Sequence, residues 1–425
     1  MPLTTIKNPL PQRFMTQDVP GIGGVIKVRP EDFLVEELPL YEPCDEGEHL
    51  YLRIQKNGVS HGEMMACLRR TFGVSDRQIG CAGMKDKQAV TQQTVSLHLH
   101  EDPASIDLGH ERMTVLWAAR HTNKLRTGHL KGNHFSIRIR QVDPLKAPLV
   151  MKQLRALQHS GLPNYFGSQR FGARTNNHLL GGLLLKGDYQ GVLDELLGTK
   201  GSTYPDSQQA RREKYDAGDY REAMSHGSGG LSGGWSGGDR SELDTLRALE
   251  EGKSARAACQ RISRKMIQLY VNAFQSAAFN RVVDQRLDKG TLGKLVEGDL
   301  AWKHDGGSVF RVGAEELAGD ELATRAAGLE ISPSGPLWGK HMTLPGEETL
   351  RVEREALDAG GLDEQTMAAS RHCPKGARRT LRETLGNPEI ESGIDEHGPF
   401  IRIAFDLSRG TYATVLLREI MKEDA

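Results

Sequence analysis

Apolar positions along this chain repeat with two periods, and the changes from one to the other predict its elements. Residues 33–37, Phe-Leu-Val-Glu-Glu, read as a strand. Arg29-Pro30-Glu31-Asp32 before them reads as a turn or a first helical turn, since proline suits the opening position of a helix. Residues 49–55 alternate through Leu50, Leu52 and Ile54 and predict a second strand. Residues 61–72 place Met64, Met65, Leu68 and Phe72 at helical spacing, with Ser60 suited to the N-cap and Gly73 to the C-cap. Strands are predicted over 90–100 and 135–140, the latter entered through a Gly132-Asn133 turn with Arg138 and Arg140 on one face. Further helices are predicted over 148–159, 177–185, 189–197, 263–287 and 347–358. The helix over 263–287 shows a stripe of Met266, Leu269, Tyr270, Ala273, Phe274 and Ala277. Residues 301–312 suggest a hairpin turning at Gly306-Gly307, and 335–339 a turn around Trp338. A strand over 400–407 and a helix from residue 412 end the chain.

Between these elements, residues 200–240 are polar, and the Gly/Ser-rich run 226–238 reads as a flexible loop. Gly21-Ile22-Gly23-Gly24 opens a short strand over 25–28. A dinucleotide fingerprint needs a strand before its glycines and a helix after, so that reading is set aside.

Composition narrows the class. A chain of 425 residues favours two or three domains. The five cysteines are scattered and never spaced C-x-x-C, against a disulfide scaffold or a zinc site and in keeping with a reducing cytoplasm. No apolar signal region opens the chain, and no run approaches a membrane span. The net charge of −1 advertises no polyanion partner. One local window does: residues 113–141 hold no acid but six lysines and arginines, among them Lys124, Arg126 and Lys131. Such a block suits a phosphate backbone. In residues 164–172, Tyr165, Phe166 and Phe171 stand among Asn164, Gln169 and Arg170, a mixture that suits unstacked bases and equally a tight corner.

The stretch with most chemistry is residues 79–91, Ile-Gly-Cys-Ala-Gly-Met-Lys-Asp-Lys-Gln-Ala-Val-Thr. Asp86 stands between Lys85 and Lys87, and flanking cations favour an ionised carboxylate, able to act as nucleophile or proton acceptor. The same pattern is also common in solvated turns.

Gly83-Met84-Lys85-Asp86-Lys87 resembles the signature of the TruD-type tRNA pseudouridine synthases. Blocks at 24–37, 124–135 and 163–172 match the same family in the same order, with a weaker fifth block at 410–419. The resemblance is good over 20–175, moderate over 262–285 and 405–420, and poor between. It implies an α+β fold in which a pseudouridine-synthase catalytic domain, built on a central and mostly antiparallel sheet, is interrupted by an inserted α+β TRUD domain. On that reading residues 1–165 and 366–425 form the catalytic domain and 166–365 the insertion.

The resemblance further implies isomerisation of a specific tRNA uridine, uridine 13 of the D-arm, which must be extruded from the stack. Asp86 would be the catalytic carboxylate and Lys27 its basic partner. Phe33, Asn133 and Tyr412 match positions that contact the target nucleotide, although the family more often has phenylalanine where this chain has Tyr412. Phe135, Asn164 and Lys85, within the matched blocks, are taken as further nucleotide contacts, and Lys124, Arg126 and Lys131 as contacts to RNA phosphates. The expected partner is tRNA, with no membrane, metal or nucleotide cofactor, and the chain is expected to act as a monomer in the cytoplasm. Two other classes stand beside this one. A non-catalytic RNA-binding protein could keep the same fold. A glycosidase would need a second carboxylate, for which Glu31 or Asp32 could serve.

Overall fold

The computed structural model describes residues 6–199, 208–225 and 237–422, so most of the run 226–238 lies outside the described residues. Within the polar stretch 200–240, residues Gln209–Asp216 and Tyr220–Ser225 are helical, and a helix Gly237–Glu250 follows. The chain forms two compact units: residues 15–162 with 383–425, and residues 1–14 with 163–382. Residues 366–382 therefore pack in the second unit, because the strand Ala377–Thr380 pairs there with Ile331–Leu337.

The first unit is built on one mixed sheet. Its strands are β1 (Phe33–Pro39), β2 (His49–Asn57), β3 (Ile79–Cys81), β4 (Val90–His98), β5 (Met113–His121), β6 (Leu130–Arg140), β7 (Leu385–Asp395) and β8 (Gly398–Ser408). They lie in the order β7-β8-β6-β1-β4-β2-β5, with β3 also paired to β4. Only β1 and β4 run parallel. Alternation gives the sheet one apolar face: Val35, Phe135 and Phe405 lie side by side across three strands, followed by Phe33, Ile137 and Ile403, all buried. The opposite face carries Glu36, His134, Ser136, Arg138 and Arg402, half-buried or exposed.

Helix α1 (His61–Phe72) packs Met64, Cys67 and Leu68 on Leu50, Leu52 and Ile54 of β2. Its start is fixed as expected: the Glu63 N–H donates to Ser60 Oγ (3.1 Å) and the Ser60 N–H to the Glu63 carboxylate (3.4 Å). Helix α2 (Ala147–Ser160) lies against β7, and the Gln153 amide donates to the Glu419 carbonyl (2.8 Å) of α3 (Ala413–Met421).

Several local expectations change. Residues 25–28 are not a strand; Val25 alone bridges to Arg140, since Lys27 adopts a left-handed conformation (φ 56°) that ends extension. Gly132-Asn133 is not a turn but mid-strand in β6. A Cβ at Gly132 would collide with the Leu407 carbonyl oxygen, so the glycine permits close approach of β8. Residues 335–337 extend the strand Ile331–Leu337 instead of turning. Strand β5 sits at a sheet edge with most of its residues exposed or half-buried, and β7, at the other edge, is rich in Glu, Ser and Gly; neither shows the alternation that reveals central strands.

The second unit centres on the helix Arg264–Asp288. Its middle turns, from Tyr270 to Val283, are buried on nearly every side, wider than the predicted stripe. A helical cluster packs at one end, through Leu180, Val192, Leu196, Tyr215 and Leu246, and a four-stranded sheet adds Leu300–Lys303 and Val309–Arg311. Inside this unit burial pushes His178 down to about 4, while its Nε2 meets the Ile6 carbonyl at 2.7 Å. The folded state keeps this imidazole neutral whereas the unfolded chain protonates it near pH 6.5. Its contribution is therefore present above pH 6.5 and is lost as pH falls from there towards 4. Replacing His178 with Gln is expected to remove roughly 3 kcal/mol of the stability lost over that window, read by urea unfolding at the two ends of the range.

Candidate active site

Buried polar residues interrupt the apolar face of the first unit's sheet while keeping its phase, and three of them bear on the site. Glu37 follows Phe33 and Val35 on β1. Lys56 follows Leu52 and Ile54 on β2. Asn133 precedes Phe135 and Ile137 on β6, directly opposite Glu37. Over them runs the β3–β4 connection with Lys85-Asp86-Lys87.

Asp86 is half exposed, and its Oδ2 accepts from Lys27 Nζ at 2.7 Å. The partner of this carboxylate is thus a lysine far away in sequence, not its immediate neighbours. Lys27 also lies 4.5 Å from the centre of the Phe33 ring, a cation–π contact on the floor of the site. Its left-handed backbone is rare for a residue with a side chain, and strain of this kind concentrates where a side chain must be aimed.

Lys85 turns the other way. Its ammonium is buried, 2.7 Å from Asn133 Oδ1 and 3.0 Å from Glu37 Oε2. Lys85 thus goes under the loop, where Asp86 stays above it. The expected direct nucleotide contact is therefore replaced by an orienting one: Lys85 occupies the Asn133 oxygen and leaves the amide Nδ2 as the group to donate elsewhere.

Lys56 was not singled out by sequence reading. It is fully buried, and its Nζ donates to the carbonyls of Val59 (2.7 Å), Asp86 (3.0 Å) and Lys85 (3.4 Å). Three donors meet three acceptors, two of them the main-chain oxygens of the loop that carries the carboxylate. Burial lowers the Lys56 pKa from its ordinary value, with the nearby Asp86 charge opposing the shift. The signal in the sequence was a lysine in the apolar phase of an alternating strand; Glu37 carries the same signal on β1.

The remaining expected residues divide. Phe33 and Phe135 are buried, edge to face at 6.4 Å, with Phe135 stacked on Phe405 at 5.3 Å, so they form the floor. Tyr412 is half-buried at the start of α3, just beyond the end of β8 that pairs with Gly132 and Asn133. Asn164 belongs to the second unit and is buried there, donating to the Thr380 carbonyl (2.9 Å) and accepting from Arg379. An amide so committed holds backbone together instead of facing a base.

The basic window is partly spent as well. Lys124 donates to the Arg77 carbonyl, Arg120 pairs with Asp102, and Arg140 is buried against Asp32 and Asp395. An acid-free stretch of sequence thus meets acids in space. Arg126 and Lys131 remain exposed. Asp32 is locked to Arg140 at 2.6 Å and Glu31 accepts from Asn57 at 2.8 Å, which ties up both second carboxylates a glycosidase reading would use. Among the described residues no cluster of His, Cys, Asp or Glu could hold a metal ion, and no helix is long and apolar enough to cross a membrane.

Comparison with known proteins shows the family. The family model described as tRNA pseudouridine synthase D (TruD) matches residues 10–420. Proteins named tRNA pseudouridine synthase D from Geobacter sulfurreducens and Geotalea daltonii are 40% and 38% identical to this chain, covering 96% of it and 97% and 99% of their own lengths. One from Thermus thermophilus is 36% identical over 97% of this chain and 92% of its own. The crystal structure of a Methanosarcina mazei protein assigned as tRNA pseudouridine synthase D shares the fold, with a TM-score of 0.81 at 24% identity, over 99% of each chain. The chain belongs to the tRNA pseudouridine synthase D family.

Proposed function

We propose that this enzyme converts uridine 13 of tRNA to pseudouridine in the cytoplasm, with Asp86 as the group that acts on the ribose. The observation that carries the reading is the accessible Asp86 carboxylate paired to Lys27 over an aromatic floor. The reaction breaks the C1′–N1 bond, forms a C1′–C5 bond, adds a proton at N1 and releases one from C5. It is redox-neutral. A carboxylate can attack C1′ or take a ribose proton, and Lys27 holds it in place for either. The Asn133 amide, oriented by Lys85 and Glu37, is placed to donate to a uracil carbonyl. On this reading the unit of residues 15–162 and 383–425 carries the chemistry, and residues 163–382 correspond to the insertion.

Supplying unmodified tRNA tritiated at uridine C5 tests this. One tritium per tRNA should be released to water with no added cofactor. Free uracil would instead indicate a glycosidase, and binding without release a non-catalytic RNA-binding protein.

Arg126 and Lys131 are proposed to meet phosphates. Changing both to Gln should reduce the slope of log affinity against log salt by roughly 0.7–0.9 for each contact, with turnover at saturating tRNA little changed. Asn133→Ala should do the reverse, leaving the slope and lowering turnover.

A further inference from the structure

The second unit contains an open pocket of about 460 Å³ between the start of the helix Arg264–Asp288 and the segment 371–374. Gln260, Arg264, Gln268, Arg371 and His372 line it above an apolar floor that includes Val271. No acidic residue lines it, and both lining segments come from acid-free sequence, residues 252–283 and 365–382.

In the stretch of chain that leads into the pocket, residues 253–265, the charge is unbalanced. Lys253, Arg256, Arg261, Arg264 and Lys265 are all exposed, and among the described residues none of the five forms an ion pair. Some exposed arginines elsewhere in this unit are matched: Arg351 with Glu348 and Glu355, Arg354 with Glu364. Five unmatched cations within thirteen residues repel one another, in a chain whose net charge is −1. An anion seated beside Arg264 relieves part of that repulsion. Arg371 donates through Nε to His372 (3.0 Å), which fixes the plane of its guanidinium and leaves the Nη groups to face outward. Arg256 and Arg371 each lie 6.0 Å from the Tyr189 ring, so Arg256 stands close to the lining Arg371.

We infer that this pocket binds the backbone of the RNA substrate, seating a phosphate between Arg264 and Arg371 with its nucleoside over the apolar floor. Guanidinium forks match phosphate oxygens, the two glutamine amides can meet a sugar or base edge, and the volume suits one nucleotide. The site carries no catalytic group; it would add affinity and orientation from the unit that lacks Asp86. The inference rests on tRNA being the substrate.

The test is the double variant Arg264→Gln/Arg371→Gln in the full chain. Both side chains are exposed, so folding should be unaffected, and a thermal melt confirms that. Fluorescence anisotropy with unmodified tRNA over a series of salt concentrations should show affinity weakened by about tenfold and a salt slope smaller by roughly 1.4–1.8, two contacts' worth. Turnover at saturating tRNA should stay within about twofold of wild type, since the site positions RNA through counterion release and not through chemistry. If wild type binds and isomerises tRNA while the variant keeps the same affinity and slope, the pocket is not an RNA site and the proposed function still stands. If wild type neither binds nor isomerises tRNA, both readings fall. If the variant instead loses binding to phosphatidylserine vesicles and keeps tRNA affinity, the pocket serves a lipid headgroup and the inference is overturned.

Discussion

Asp86→Asn is expected to lower kcat by at least about 10³-fold while leaving tRNA affinity within about twofold. The amide keeps the shape of the carboxylate but can neither attack C1′ nor accept a ribose proton. Asp86 lies in a site whose floor and loop are held by other groups, namely Lys56, Lys85 and Phe33, so its loss should not unmake the binding surface. Single-turnover kinetics and anisotropy on the same preparation separate the two effects. Turnover near the wild-type rate with intact binding would remove Asp86 from the chemistry.

The second large effect should come from a residue that never meets the substrate. Lys56→Met fills similar space but offers no donor to the Val59, Lys85 and Asp86 carbonyls. Burial disfavours the charged amine, so stability by itself does not account for a lysine at this position. Its three bonds fix the main chain that aims Asp86 at Lys27, and displacing a reacting group by about 1 Å costs on the order of 100-fold in rate. The expected result is kcat down by about that factor, with tRNA affinity nearly unchanged. A lysine with only a structural role would lower the melting temperature while the folded fraction kept wild-type kcat, and that outcome would contradict the positioning role.

The sequence was legible where one periodicity ruled. Helix α1, with both caps, and strands β1, β2, β4 and β8 follow from alternation or helical spacing in central, half-buried elements. It was illegible where the apolar face is not what defines the element: β5 and β7 are edge strands, and Gly132-Asn133 looks like a turn because only tertiary packing of β8 demands the glycine. For the site, Asp86 and Lys27 were readable as matched motifs, and the structure joins them across 59 positions. The direction of each side chain was not readable. Lys85 was expected beside the nucleotide and instead turns beneath the loop. Asn164 was expected at a base and is enclosed in the second unit. Arg378 and Arg382, part of a basic run in sequence, are buried against Glu353 and Ser332. Lys56 and Glu37 show the converse, since a charge in the apolar phase of a strand is visible in sequence and marks a residue that must find a partner inside.

The most direct measurement is a nucleotide-resolution map of pseudouridine in unmodified tRNA incubated with the purified chain alone. The account predicts a single new pseudouridine at position 13 with wild type and none with Asp86→Asn. No pseudouridine from the wild-type protein, or the same product from Asp86→Asn, would contradict it.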